Sequence, residues 1–86
     1  MTSIACVGDT TTHGGRILTG SDTMDILGKQ VARVGDLVSC PEHGPNVIIQ
    51  GSDMLTDTNG QHVALHGHMT ACGSRLLAFG DHGSID

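Results

Sequence analysis

The chain repeats itself three times, and 86 residues spent on three copies of one short motif leave few ways to fold. Ala5-Cys6-Val7-Gly8-Asp9 recurs as Ala32-Arg33-Val34-Gly35-Asp36 and again as Ala64-Leu65-His66-Gly67-His68. Five residues after the glycine of each block stands a side chain that can ligate a metal: His13, Cys40 and Cys72. A strand-like run follows each: Arg16-Ile17-Leu18, Asn46-Val47-Ile48-Ile49 and Arg75-Leu76-Leu77-Ala78. The first two runs lead into Gly20-Ser21-Asp22 and Gly51-Ser52-Asp53, then into Gly28-Lys29-Gln30-Val31-Ala32 and Gly60-Gln61-His62-Val63-Ala64. The third copy is expected to stop early, in the tail from Gly80 to Asp86.

Short β-branched and aliphatic runs bounded by Gly, Asn, Asp and Ser are the signature of strands and turns. No sustained 3.6-residue apolar period is present, and glycine interrupts nearly every window in which a helix would form. Asn59-Gly60 reads as a tight hairpin turn. The expected architecture is a single all-β domain over residues 1–86, built from three β-hairpin lobes around a pseudo-threefold axis. A five- or six-stranded open barrel is the competing arrangement.

Such a fold needs support beyond its core. A chain of this size buries only ~60–65% of the surface that its unfolded form exposes. It has no Trp and no Tyr, and Phe79 is its one aromatic residue, so the side chains that usually dominate core energetics are missing. Thirteen glycines add backbone entropy to be lost on folding. The candidates for the missing support are disulfides, a metal or a partner protein.

Charge excludes one class of partner. Nine acidic residues face four scattered cations, Arg16, Lys29, Arg33 and Arg75, for a net charge of −5. That is no phosphate-tracking patch, and there is no aromatic platform for stacking bases, so nucleic acid is not an expected partner. The N-terminus shows no secretory signal pattern and no run approaches the ~20 apolar residues of a membrane span, so synthesis in the cytoplasm is expected. Three cysteines, an odd number, in a chain made under reducing conditions argue for metal binding over a disulfide scaffold.

Structural zinc takes four ligands in a closed tetrahedron of imidazole nitrogen and thiolate. In small peptides it contributes an apparent ~10–16 kcal/mol at neutral pH, whereas one buried Val, Ile or Leu contributes ~1.5–3 kcal/mol. His13, Cys40 and Cys72 are equivalent by repeat and approach one axis together. His43 lies three residues beyond Cys40 in the same short loop, and His68 can close on Cys72 across a turn. His66 stays in the pool of donors, while Cys40 also reads as a small buried hydrophobe. His62 and His82 read as solvated, and Cys6 as a core residue. No His-Glu-x-x-His is present, and a domain this small lacks wall area for a pocket of ~300 Å³. Catalysis is not expected.

Taken together, Gln30-Val31-Ala32-Arg33, His62-Val63-Ala64-Leu65, Thr12-His13-Gly14-Gly15, Cys40-Pro41-Glu42-His43-Gly44 and Thr70-Ala71-Cys72-Gly73 resemble the PAAR-repeat family, in order and over essentially the whole chain. The literal Pro-Ala-Ala-Arg string is absent, and the third block carries His68 where the other two carry Asp9 and Asp36.

The resemblance implies a small conical domain with one zinc near its apex, capping the trimeric VgrG-type spike of bacterial type VI secretion. It implies three histidines and one cysteine as ligands, which favours His13, His43, His68 and Cys72. It also implies assembly on the spike, injection into a target cell with transient envelope contact, and effector or toxin cargo carried separately. The base that would meet the spike is expected near Ile17, Leu18, Val47, Ile48, Ile49, Leu76 and Leu77. Rival readings are a free zinc-stabilised binding module or effector adaptor, and a redox protein using Cys40 and Cys72. The absence of Cys-x-x-Cys weighs against the last.

Overall fold

The computed structural model describes residues 2–78, together with the backbone of residues 84–85. The fold is all-β, as expected, and no helix occurs among the described residues. Among the described residues, eight two-residue strands form four antiparallel pairs. Strands β3 (Asp25–Ile26) and β4 (Lys29–Gln30) make one hairpin, and β5 (Leu37–Val38) and β6 (Asn46–Val47) another. Strand β2 (Thr10–Thr11) pairs with β7 (Leu76–Leu77). The first strand, β1 (Thr2–Ser3), pairs with the last, β8 (Ser84–Ile85). The third copy is therefore not simply cut short. Thr2 and Ser3 stand where Lys29 and Gln30 stand in the first lobe, and the chain's two ends close the third lobe between them.

The threefold character is written in backbone hydrogen bonds. Ala5 N–H donates to the Ala64 carbonyl (3.0 Å), Ala32 to Ala5 (2.9 Å) and Ala64 to Ala32 (2.9 Å), closing a ring of three equivalent residues. The same cycle recurs one step outward, with Val7 donating to Gln30, Val34 to His62 and His66 to Ser3. All three alanines are fully buried. Small residues suit this ring, because three strands converge there and a larger buried side chain would push them apart.

Strand alternation sorts the core into two tiers about this ring. The alanines face a cluster of Ile17, Val38, Ile48, Leu76 and Ala78. Their neighbours Ile4, Cys6, Val31, Val63 and Leu65 face the other way, onto Met24, Ile26 and Leu55 of the hairpin arms. Cys6 is buried as expected, and burial, with Asp9 nearby, pushes its thiol up to about 11. Arg33 occupies the equivalent place in the second copy. Its guanidinium is matched by Asp36 (Nε–Oδ2 3.0 Å) and Asp57 (Nη1–Oδ2 2.7 Å) and also donates to the Gly20 carbonyl. Hydrogen bonds from Arg33 come first among the causes that hold the Asp57 carboxyl below its ordinary range. No buried side-chain polar atom among the described residues lacks a partner.

Two turns deserve comparison. The two-residue hairpin turn is Leu27-Gly28, both at positive φ (53° and 83°), and Leu27 is a non-glycine residue in a region that favours glycine. At the expected Asn59-Gly60 turn, Gly60 N–H donates to the Asp57 carbonyl and Asp57 N–H to that of Gln61, so three residues form the loop.

Candidate metal centre

Beyond the upper tier, the one that the alanines face, each copy makes a turn in which a glycine-framed loop carries the residue five positions after the block glycine. In the first and third copies nine positions separate the block glycine from the core residue that follows, Gly8 to Ile17 and Gly67 to Leu76. In the second, Gly35 to Ile48, thirteen do. The additional loop length holds Pro41-Glu42-His43-Gly44, between the paired Val38 and Asn46. Gly44 N–H donates to the Cys40 carbonyl, which turns His43 back toward Cys40.

The result is one cluster of four donors. His13, Cys40, His43 and Cys72 each offer one ligand atom, and these atoms all lie within 4.8 Å of one another. Cys40 Sγ is 3.7 Å from His13 Nδ1 and 3.3 Å from His43 Nδ1, and Cys72 Sγ is 3.7 Å from His13 Nδ1. A tetrahedral ion with metal–sulfur bonds of ~2.3 Å and metal–nitrogen bonds of ~2.0–2.1 Å requires sulfur–nitrogen edges of ~3.6 Å. The observed edges bracket that value. Two imidazoles and two thiols gathered at such spacing can hold a metal ion.

The surroundings prepare the donors. Asn46 Oδ1 accepts from Cys72 N–H, fixing the third loop against the second. The Thr70 hydroxyl is 3.4 Å from Cys72 Sγ and that of Ser74 is 3.5 Å away, while the two hydroxyls are themselves 2.6 Å apart. Hydrogen bonding from Thr70 first, then Ser74, lowers the Cys72 thiol to about 5. Hydroxyls so placed favour the thiolate of Cys72, the form that binds metals. The His13 and His43 rings lie with centroids 5.8 Å apart and their planes tilted by 36°.

Of the four residues favoured by resemblance, three fall in this cluster and His68 does not; Cys40 takes the fourth place. The reason for this correction is visible in the repeat. Asp9 Oδ2 accepts from Cys6 N–H (2.9 Å) and Asp36 Oδ2 from Arg33 N–H (2.8 Å). At the equivalent position His68 Nδ1 accepts from Leu65 N–H (3.0 Å). His68 is a turn acceptor that replaces a carboxylate, and burial lowers its pKa. His66 lies elsewhere as well, its Nδ1 accepting from Ala78 N–H. Exposed His62 places Nδ1 2.6 Å from the Ser52 carbonyl, and His82 lies outside the described residues. Cys40 is buried, as expected of a small hydrophobe, yet its sulfur faces the two imidazoles.

Three of the residues expected at the partner face are buried. Ile17, Ile48 and Leu76 are 1%, 1% and 0% exposed and belong to the upper core tier, so they cannot meet a partner. Leu18, Val47 and Ile49 are exposed, and Leu77 is half-buried. Strand register sets Leu18 opposite Leu37, since Ile17 bridges Val38, and Leu37 opposite Val47, giving one outward apolar row across three strands. The equivalent rows read Ile49, Met69, Arg75 and Leu77, Thr10, Arg16. Other exposed apolar side chains sit at the arms, Leu27 at 80% and Met54 at 79%.

Against known proteins, the sequence model of one family, described as the PAAR motif, matches residues 7–78. No curated protein matches the chain.

Proposed function

Because the chain belongs to the PAAR-motif family, which is associated with type VI spike tips, we propose that it is a non-enzymatic cap on a trimeric VgrG-type spike. The observation that carries this reading is the closed ring of Ala5, Ala32 and Ala64. It makes a single chain threefold at its centre, and a trimeric shaft needs a threefold cover. The end of such a shaft presents three sets of strand edges without partners, and edges left bare invite unwanted pairing. Three hairpin arms, one closed by the chain's own termini, can each pair with one edge by strand addition. The arms carry Met24, Ile26, Leu27, Met54 and Leu55, apolar side chains suited to the seam.

At the opposite end the cap would hold one zinc ion through His13, Cys40, His43 and Cys72. Two thiolates neutralise the ion's charge, which limits the cost of holding it in a partly buried site. The ion would act as a closed structural crosslink between the three loops. The domain would be made in the cytoplasm, leave on the spike and help it breach a target envelope, with effectors riding separately.

Mixing the purified domain with a trimeric spike protein should give, by size-exclusion chromatography with light scattering, a complex of three shaft chains to one cap. Absence of that complex overturns the cap reading. A second role, as adaptor for one cargo chain, is favoured by the Leu18–Leu37–Val47 row, which only one of the three flanks has. Leu37→Glu should then abolish cargo co-purification and leave spike binding intact; retained cargo dismisses the role.

A further inference from the structure

We propose that Cys40 and Cys72 form a modification site, at which a peroxide joins their two sulfurs in a disulfide and the metal ion is released. The inference rests on the reading of the tip as a metal centre.

The two cysteines occupy the same position of successive copies, five residues after Gly35 and Gly67. The pseudo-threefold therefore brings them to one point, and their sulfurs belong to a set of atoms all within 4.8 Å of one another. A disulfide needs ~2.05 Å between sulfurs, so a short movement of two loop side chains suffices. Both cysteines lie outside the strands, Cys40 and Cys72 each in a loop bounded by a positive-φ glycine, Gly44 and Gly73. Cys72 is half-buried and accessible, while Cys40 is 4% exposed, so attack begins at Cys72. Cys6 takes no part, being fully buried in the other core tier among Ile4, Val31, Val63 and Leu65.

The chemistry balances with one peroxide. The Cys72 thiolate attacks a peroxide oxygen; the sulfur–oxygen bond forms, the oxygen–oxygen bond breaks and hydroxide leaves, giving a sulfenic acid. The Cys40 thiolate then attacks the Cys72 sulfur; the disulfide forms, the sulfur–oxygen bond breaks and a second hydroxide leaves. Two electrons pass from the two thiolates to the peroxide, and two protons convert the hydroxides to water. Thiolate, not disulfide sulfur, is the metal ligand, so His13 and His43 remain as two donors where four are needed. A tip with a single cysteine has no such route, and it is Cys40 that supplies it. Without a Cys-x-x-Cys, the pair serves as a sensor of oxidant and not as a disulfide-exchange catalyst.

The test begins with freshly purified reduced protein, its zinc content measured first. Absence of zinc there rejects the metal-centre reading on its own. Hydrogen peroxide is then added while released zinc is followed with a chromogenic chelator and the protein by intact mass. The expected result is one zinc released per chain, loss of two of three free thiols, and a mass about 2 Da below the reduced apoprotein. Dithiothreitol with added zinc restores the starting state. Cys6→Ser behaves as the parent, and Cys40→Ser and Cys72→Ser never show the 2 Da loss, whether or not they hold zinc. Zinc release with oxygen added in steps of about 16 Da, crosslinked chains, or both thiols reduced with zinc retained would each overturn the proposal.

Discussion

The alanine ring and the tip cluster sit on the same pseudo-threefold axis, yet one keeps the symmetry and the other breaks it. In the ring, Ala5, Ala32 and Ala64 are identical and exchange equivalent backbone bonds. At the tip, the equivalent positions hold His13, Cys40 and Cys72, and a fourth donor enters from the lengthened second loop. Packing three strands around a line is a threefold problem, so identical small residues solve it. Closing a tetrahedron is a fourfold problem, and a three-copy motif can solve it only by making one copy different.

That contrast can be attacked most directly through the metal. Chelation, or His43→Ala, should lower the melting temperature by about 20 °C or more, because a domain of this size loses ~4–8 °C per kcal/mol and a structural zinc contributes several kcal/mol at least. Calorimetry showing an unchanged transition would move the support of the fold from the tip to the ring alone. Ala32→Leu tests the other side. Overpacking the ring should cost ~3 kcal/mol in denaturant titration, whereas Ala71→Leu, exposed beside the tip, should cost almost nothing. Equal losses would mean that the ring is not the constricted point.

Two smaller effects sharpen the picture. Leu27→Gly should stabilise the domain by about 0.5–1 kcal/mol, since glycine accepts the positive φ that leucine bears at a cost; a loss instead would show Leu27 anchoring the arm. His68→Asp restores the acceptor found in the other two copies. Burial lowers the His68 pKa, so the folded state binds fewer protons than the unfolded one. Its contribution is complete above the unfolded value of ~6.5 and fades as pH falls through the folded value. The melting temperature of the parent should therefore decline below that pH, and His68→Asp should flatten that part of the curve. Parallel curves for the two proteins would dismiss His68 as the titrating group.

The repeat, the strands and the loop positions of the donors were legible in the sequence, because each rests on local pattern. His13 and Cys72 follow from their place in the copy, and His43 from its nearness to Cys40. The identity of the fourth donor was not legible from resemblance, which pointed to a third histidine. Repeat logic pointed the other way: Cys40 shares its position with His13 and Cys72, and His68 shares one with two aspartates. What the pattern alone could not give was the job of those aspartates, accepting the N–H three residues before them. Three residues expected at the partner face lie in the core for a related reason. Ile17, Ile48 and Leu76 look like any strand residues until their register is known, and register sends them inward. The closing of the third lobe by Ser3 and Ser84 depends on a pairing across nearly the whole chain, which no local window contains.

That last pairing has a consequence for how the molecule comes into being. With β1 paired to β8, the third lobe cannot close until the strand at Ser84–Ile85 has been made, and a contact of such long sequence separation is found slowly. Closure of the domain therefore lags behind its local hairpins, and a short linker tying β1 to β8 should quicken it.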